Sequence, residues 1–321
     1  MKLGVLADIH SNSRAFAACL ERLEAENCDE YLLLGDYVSD TPYTEETLRM
    51  LYDLLSRETC RALRGNREDY MISQRRILRG EQEGQKWLNN SASGNLLFTF
   101  RRLTDRDLDF FESLPVSFRY EKEDFPAITC CHGSPGRTGE LLQADGENTK
   151  EWMDRIDTDY LIAAHTHYPG VTERNDRLYI NPGSVGIAID DPGLARCAIL
   201  HGREDGKAWI PELLSVPYDA GEVVRDIFRS GLFDSAPWFV NNNLHTLITG
   251  IDRTPQMVER AMELQTAATG IPAVWPKIGE QYFEQASREM EIPDYGRTFA
   301  QYRDRHQQGE NGNGVPGESP E

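Results

Sequence analysis

Short apolar runs alternate with amphipathic stretches over the first 64 residues. The runs Leu3–Ala7, Tyr31–Leu34 and Arg61–Leu63 each end at polar residues or glycine, which predicts three buried strands. Apolar residues recur at helical spacing after Ser13 and after Thr44, and the hydroxyl side chain at each of these positions can cap a helix. Strands that alternate with amphipathic helices predict βαβ units and therefore a parallel sheet.

The pattern changes further along the chain. Residues 67–114 are predicted to be mostly helical, and seven short strands then follow. These strands are Val116–Arg119, Ala127–Cys131, Tyr160–Ala163, Gly170–Glu173, Leu178–Ile180, Cys197–His201 and Trp209–Val216. Such a density of strands predicts a second sheet packed on the first, with helices outside. Residues 219–306 return to a helical pattern, with a start at Thr254 and Pro255 and an end at Gly270.

Composition places the chain among ordinary globular proteins. It has 321 residues, of which 39% are hydrophobic, and this excludes a largely disordered or fibrous chain. No apolar stretch approaches the roughly 20 residues that a membrane-spanning helix needs, and the apolar start is too short for a signal peptide. The six cysteines form no C-x-x-C pair and are expected to be reduced. We therefore expect a soluble, cytoplasmic protein without a membrane partner.

The charge balance is strongly acidic. The chain has 34 Lys and Arg residues against 53 Asp and Glu residues, a formal net charge of −19. Such a charge disfavours nucleic acid and anionic membranes as stable partners, unless a local positive feature offsets the field. An anionic substrate would need such a feature.

Side chains with metal-ligand chemistry stand where predicted strands end. Four of the seven histidines lie in these short segments, and the candidates are Asp8, His10, Asp36, Asn66, His132, His165 and His167. The pairs Asp8/His10 and His165/His167 have i, i+2 spacing, so in an extended segment both side chains of a pair point the same way. The ends of strands are where open α/β sheets bind their ligands.

The chemistry of this set favours a site for two metal ions. Imidazole and carboxylate groups suit Zn, Mn and Fe. Two ions about 3.5–4 Å apart can share a carboxylate and a hydroxide and can neutralise a phosphoryl group. They would also supply the local positive charge. Taken singly, Asp36 could be a turn aspartate, Asn66 a left-handed turn residue and His132 a buried, hydrogen-bonded histidine.

The order of these motifs, D-x-H, G-D, G-N, H-G and H-T-H, resembles the calcineurin-like metallophosphoesterase superfamily, and most closely its small bacterial and archaeal phosphodiesterase branch. The turn Asn181–Val185 also resembles that branch. The resemblance covers residues 1 to about 218 and implies an α/β fold, a four-layer αββα sandwich of two mixed sheets. We therefore predict one domain at 1–218, with 67–114 as a helical insertion or cap near the site. A helical C-terminal extension at 219–306 is predicted to pack on it, followed by a disordered tail at 307–321 that is rich in Gly and Pro.

The resemblance also implies how the ligands are shared between two divalent or trivalent ions, which could be Mn, Fe, Zn or Ni. One ion would be held by Asp8, His10, Asp36 and His167, and the other by Asp36, Asn66, His132 and His165. A hydroxide bridging the two ions would attack a phosphomonoester or phosphodiester. The expected partner is therefore a small phosphorylated substrate or phosphate, with nucleic acid disfavoured; the oligomeric state is left open.

Two positions depart from the pattern of the family. Arg67 stands where the family often has a histidine after G-N, and Ala164 replaces the glycine before H-T-H. We predict that Asp36, Asn66 and Arg67 take part in catalysis, with Arg67 either contacting phosphate or paired with a nearby acid. A degenerate module that holds metal and phosphate without turnover is the alternative. A metal-dependent amidohydrolase is a further one, although that class usually opens with H-x-H rather than D-x-H.

Overall fold

Ten strands and eleven helices make up the part of the chain that the computed structural model describes, residues 1–57 and 59–301. The strands are β1 (Lys2–Leu6), β2 (Glu30–Leu33), β3 (Cys60–Ala62), β4 (Ser117–Tyr120), β5 (Ile128–Cys131), β6 (Tyr160–Ile162), β7 (Gly170–Arg174), β8 (Arg177–Asn181), β9 (Leu194–Gly202) and β10 (Trp209–Pro217). The helices are α1 (Ser13–Ala25), α2 (Thr44–Leu55), α3 (Asn66–Arg79), α4 (Gly94–Phe100), α5 (Asp105–Ser113), α6 (Glu147–Arg155), α7 (Ala220–Arg229), α8 (Leu232–Ser235), α9 (Pro237–Thr249), α10 (Thr254–Thr269) and α11 (Glu280–Glu289). The tail predicted at 307–321 lies outside the described residues.

The strands form two mixed sheets of five. The first has the order β10-β9-β1-β2-β3, in which β1, β2 and β3 are parallel, β9 pairs antiparallel with β1, and β10 pairs antiparallel with β9. The second has the order β4-β5-β6-β8-β7, with parallel β5, β6 and β8 flanked by antiparallel β4 and β7. The carboxyl ends of parallel strands meet at one edge of a sheet, and each sheet therefore offers a set of neighbouring loops at one edge.

Alternation along β1 shows how the layers are built. Leu3 and Val5 belong to an apolar cluster between the sheets, together with Ile128 and Ile162 of the second sheet, whereas Leu6 faces a cluster on the other side that includes residues of α1 and α2. A third cluster packs α6 against the outer face of the second sheet. Because both faces of each sheet are covered near its middle, the inner strands β1, β2, β5 and β6 are buried on two sides. The four-layer αββα sandwich of two mixed sheets is confirmed.

The C-terminal helices pack on the sandwich through their own apolar clusters. One buried cluster joins Ile187, which precedes β9, to Val223, Ile227, Val240 and Leu244 of the helices. A second cluster joins α10 and α11 and includes Ala92, from the segment between α3 and α4. A helical C-terminal extension is thus present as predicted, whereas its boundary at residue 218 stays a prediction. None of the described helices is both long and apolar enough to cross a membrane.

Helix starts are the main correction to the predicted elements. Asn12, rather than Ser13, caps α1, because its Oδ1 accepts a hydrogen bond from Ala15 N at 3.2 Å. Thr44 and Thr254 are the first helical residues of α2 and α10 and not their caps. The hydroxyl of Thr44 lies 3.2 Å from Ser11 Oγ, and that of Thr254 accepts from Asn242. The two threonine hydroxyls, which the local sequence predicts to be helix caps, therefore contact residues that are remote in sequence instead.

Candidate metal centre

Five of the candidate ligands sit in loops with left-handed backbone conformation, directly after strands. The φ angles are +53° for Asp8, +50° for His10, +53° for Asp36, +66° for His165 and +62° for His167. The extended geometry expected for Asp8/His10 and His165/His167 is therefore wrong: β1 ends at Leu6 and β6 at Ile162. A positive φ is uncommon for a residue with a side chain, and such conformations concentrate at functional sites.

Backbone hydrogen bonds between the loops hold this conformation. Asp8 N donates to Gly35 O at 3.1 Å and His10 N donates to Asp36 O at 2.9 Å, so the loops after β1 and β2 run together. Gly35 has a φ of +83°, and a Cβ there would lie 2.4 Å from Gly65 N. A Cβ on Gly65 would lie 2.1 Å from Asp36 Oδ1. Both glycines are therefore required for the close approach of the loops.

The loops of the second sheet join the same network. Ala164 N donates to the carbonyl of His132 at 2.7 Å, and His165 N donates to Asp8 Oδ2 at 3.1 Å. The turn after β8, for which the sequence analysis named Asn181–Val185, packs against the loop after β1. There, Gly186 N and Ser184 Oγ both donate to the carbonyl of Asp8, each at 2.9 Å. One site is thus assembled from both sheets.

All seven predicted ligands come together at this place. Two clusters of ligand atoms, Asp8/His10/His167 and Asp36/His132/His165, each lie within 4.8 Å. Asn66 Oδ1 lies 3.0 Å from His132 Nε2 and so extends the second cluster. Asp36 lies between the clusters, with Oδ1 at 3.3 Å from His132 Nε2 and Oδ2 at 3.8 Å from His10 Nε2.

The imidazole rings are oriented by acceptors behind them. His132 Nδ1 lies 2.7 Å from Leu34 O, and His167 Nδ1 lies 2.8 Å from Ile187 O. A carbonyl can only accept, so Nδ1 carries a proton and Nε2 faces the site, where its lone pair can bind a metal ion in the neutral form of the ring. His10 Nδ1 lies 3.0 Å from Asp40 Oδ2, within ion-pair distance but without the geometry of a hydrogen bond. Partners of this kind are typical behind metal-binding histidines.

The donor set fits metal ions in two further respects. The Nε2 atoms of His10 and His167 face each other at 3.0 Å, an arrangement that a cation stabilises and that two free lone pairs do not. Asp8 Oδ1 is buried and has no hydrogen-bond partner among the described residues, although it lies 3.4 Å from His167 Nε2. A buried carboxylate oxygen without a donor is costly unless a cation compensates it.

Charge interactions set the pKa values within the metal-free site. Burial alone would raise the pKa of Asp36, but the imidazoles of His132 and His10 and the guanidinium of Arg67 hold it well below its usual value. Burial opposes protonation of His132, yet the carboxylates of Asp36 and Asp8 raise its pKa to about 9. Burial and the neighbouring His132 lower the pKa of His165 to about 4. The clusters therefore combine anionic carboxylates with both protonated and neutral imidazoles.

Arg67 lies beside the clusters, and one nitrogen of its guanidinium is paired with a carboxylate. Its Nη2 lies 2.9 Å from Asp40 Oδ2, and its Nε lies 3.8 Å from Asp36 Oδ2 and has no hydrogen-bond partner in the part of the chain described. Burial opposes the charged form, but Asp40 and Asp36 raise the pKa of Arg67 above its usual value. The residue is thus held as a cation at the rim of the site, paired with an acid that the sequence did not single out.

Two carboxylates that sequence reasoning missed support the site. Asp40 contacts His10 and Arg67 and accepts a hydrogen bond from Asn95 Nδ2 at 2.7 Å. Glu68 is fully buried and accepts from the backbone N–H groups of Asp36, Tyr37 and Gly65 at 2.8–2.9 Å. Glu68 follows Gly65 at the three-residue spacing of a capping box, so the sequence alone could have indicated this contact. Nothing local marks Asp40, whose partners are remote in sequence.

A cavity of about 170 Å³ opens over the two clusters. Its lining includes His10, Asp36, Asn66 and Arg67. The lining also includes Phe239 and Asn243 of α9, Thr254 at the start of α10, and Asp252 from the loop between these helices. The C-terminal helices therefore contribute to the lining of the site, which no motif in residues 219–306 indicated.

Comparison with known proteins agrees with the architecture. Residues 1–205 match the family model of the calcineurin-like phosphoesterase superfamily domain. An uncharacterized protein of Methanocaldococcus jannaschii is 25% identical over 249 residues, which cover 72% of this chain and 93% of that protein.

Two solved structures are similar in fold. A hypothetical protein from Pyrococcus horikoshii aligns with a TM-score of 0.62 at 19% identity, covering 78% of this chain and 99% of its own. A metallophosphoesterase from Sphaerobacter thermophilus aligns with a TM-score of 0.60 at 22% identity, with the same coverage of both chains. Each alignment covers more of this chain than the family model does, so the likeness in fold extends beyond residues 1–205.

Proposed function

This chain belongs to the calcineurin-like phosphoesterase superfamily, and we propose that it hydrolyses a small phosphomonoester or phosphodiester at a centre of two metal ions. The observation that carries this proposal is the position of Asp36 between the Asp8/His10/His167 and Asp36/His132/His165 clusters. A carboxylate in that position can be shared by two ions, which is the usual arrangement of a phosphoester-cleaving pair.

The proposed ligands divide along the two clusters. Asp8, His10 and His167 would hold one ion, and Asn66, His132 and His165 the other, with Asp36 common to both. Bound ions of this kind supply an activated water and positive charge for the phosphoryl oxygens. The donor set of carboxylate, imidazole and amide oxygen suits Mn, Fe, Zn or Ni and does not select among them.

Arg67 would bind a phosphoryl oxygen of the substrate. Its side chain lines the cavity and is about one-fifth exposed, so the guanidinium can offer a charge-assisted hydrogen bond to an anion. Asp40 holds the other end of the guanidinium at 2.9 Å and thereby fixes its position. Because the net charge is −19, this local cation and the metal ions are what would attract an anionic substrate.

The raised pKa of Arg67 also bears on the leaving group. A guanidinium that keeps its proton cannot readily protonate a departing alkoxide near neutral pH. The enzyme should therefore favour esters whose leaving groups need little protonation, such as aryl esters or phosphoanhydrides.

A reducing, cytoplasmic location is part of the proposal, supported by six cysteines that are all unpaired.

Hydrolysis of chromogenic esters tests this proposal. The protein is stripped of metal, reloaded with Mn and assayed with p-nitrophenyl phosphate and bis(p-nitrophenyl) phosphate, followed by a screen of phosphorylated metabolites. We expect release of p-nitrophenol that depends on added metal. A protein that binds metal and phosphate but turns over none of these substrates would instead be a binding module, and the proposal would be wrong.

A further inference from the structure

A second cavity adjoins the one over the metal clusters. It has a volume of about 310 Å³, and Arg67 and Phe239 line both cavities. Its remaining lining comes from residues 70–96 and from the loop between α10 and α11, and consists of Tyr70, Ala92, Asn95, Leu96 and Trp275. The two cavities therefore lie side by side, with Arg67 and Phe239 at their boundary.

Two aromatic side chains in the lining of this second cavity are open to solvent. Tyr70 is 40% exposed and Trp275 is 39% exposed, and the centroids of their rings lie 6.5 Å apart. The indole is held in place, because its Nε1 donates to the carbonyl of Ala92 at 2.7 Å. Tryptophan is highly buried on average, so an exposed pair of rings offers apolar surface that a ligand can cover.

The charge of the second cavity differs from that of the first. Three aspartates line the cavity over the metal clusters, whereas Arg67 alone is charged among the described residues that line the second. Arg67 and Tyr70 are three positions apart on α3, so their side chains lie on the same face of that helix. A cation at the boundary with uncharged, aromatic surface beyond it suits a ligand in which a ring follows an anionic group.

We propose that the second cavity binds the aromatic ring of a phosphoanhydride substrate, which has the chemistry of a nucleoside diphosphate. The inference rests on the proposed function and specifies its substrate class. The terminal phosphate would lie at the metal clusters, the next phosphate at Arg67, and the base against Tyr70 and Trp275. An aryl ester fits less well, because no spacer separates its ring from the phosphoryl group that is cleaved.

This substrate class agrees with the leaving-group preference that Arg67 sets. The oxygen of water would bond to the terminal phosphorus, the bond from this phosphorus to the bridging oxygen would break, and the nucleoside monophosphate would leave with the bridging oxygen. A nucleoside diphosphate trianion thus gives a nucleoside monophosphate dianion, hydrogen phosphate and one proton, which passes to solvent. The departing phosphate is a weak base and needs no proton from the protein.

Binding of nucleotide analogues that cannot be hydrolysed between the two phosphorus atoms tests this inference. The full-length, Mn-loaded protein is titrated calorimetrically with α,β-methylene-ADP and with the same diphosphonate on ribose without the adenine, with equal Mn in both solutions. We expect the adenine compound to bind roughly five- to 150-fold more tightly, as stacking of a base on aromatic side chains provides. Tyr70→Ala should reduce that preference, and the double variant Tyr70→Ala, Trp275→Ala should abolish it.

Two matched variants serve as controls. Tyr70→Phe keeps the ring and should keep the preference. Trp152→Ala removes another partly buried tryptophan, whose Nε1 donates to Glu140 at 3.3 Å, but this residue lies on α6 outside the second sheet and its loss should leave the preference unchanged. Tyr70→Ala alone decides the test if the double variant does not fold, since Tyr70 is well exposed.

The outcomes separate this inference from the proposed function. Equal binding of the two diphosphonates by the unaltered protein, or a preference undiminished in Tyr70→Ala and in the double variant, would overturn the aromatic subsite. The unaltered enzyme should release phosphate from ADP faster than from AMP, and equal rates would overturn the anhydride as its substrate class. Metal-dependent release of p-nitrophenol by the same preparation tests the proposed function separately, and its absence would overturn both.

Discussion

The Nε2 atoms of His10 and His167 lie 3.0 Å apart, although the residues are 157 positions apart in the sequence. His10 follows β1 of the first sheet and His167 follows β6 of the second, so this contact joins the two sheets at one edge. Both Nδ1 atoms already face acceptors, Asp40 Oδ2 and Ile187 O. A metal ion bound by both Nε2 atoms would therefore link the two sheets.

The first prediction follows from that link. Adding Mn to metal-free protein should raise the melting temperature by several degrees, since a ligand at 100 times its Kd stabilises the folded state by about 2.7 kcal/mol. Differential scanning fluorimetry with and without a chelator measures the effect. His201→Ala, an off-site variant, should show the same shift, whereas His10→Ala should show a smaller one. An unchanged melting temperature in the unaltered protein would contradict a site that needs a cation.

Loss of one ligand should deplete one ion more than the other. His132 belongs to the cluster with Asp36 and His165, so His132→Ala should lower occupancy of that ion and spare the Asp8/His10/His167 cluster. Metal content after gel filtration should fall towards one ion per chain. Occupancy that stays at two would show that His132 is not a ligand.

Asp40 is predicted to position the site rather than to react. It contacts His10, Arg67 and Asn95, and removal of such supporting partners typically costs about 10–100-fold in metal affinity or activity. Asp40→Asn should therefore weaken Mn binding and lower kcat/KM within that range, measured by titration and steady-state kinetics. The exposed Asp105→Asn is the control. Unaltered metal affinity in Asp40→Asn would limit Asp40 to a role in stability.

Arg67→Ala should mainly raise KM, by roughly ten- to 150-fold, because one charged hydrogen bond to the substrate contributes about 1.5–3 kcal/mol. Metal content should not change, since guanidinium is not a ligand. Arg67→Lys should recover part of the loss, because it keeps the charge without the planar fork. If KM is unaffected across several substrates, the residue serves only its ion pair with Asp40.

Strand positions were the most predictable part of the fold. All ten predicted strands are present, with ends that differ by at most three residues, because short apolar runs between turn residues reflect burial directly. Helix caps were less predictable. Thr44 and Thr254 carry hydroxyls that fit a cap locally, but Ser11 and Asn242 bind those hydroxyls in the folded protein.

The candidate site was likewise predictable only in part. Residue types and their order indicated the convergence of the seven ligands, whereas the conformation of Asp8 and His10 was not predicted. Strands predict extended continuation, but the N–H groups of these residues bind the carbonyls of Gly35 and Asp36 and fix left-handed turns. Asp40 was not predicted because its role arises from partners, His10, Arg67 and Asn95, that only the fold brings together.

Metal content and turnover of Asp36→Asn, measured on the same preparation, test the central claim most directly. Asp36 is the carboxylate that lies between the two clusters, so this variant should hold fewer than two Mn ions per chain and lose hydrolysis of bis(p-nitrophenyl) phosphate. The exposed Asp53→Asn on α2 should match the unaltered protein, with two ions and full turnover. Two bound ions and near-normal turnover in Asp36→Asn would contradict a shared carboxylate and, with it, the proposed two-metal centre.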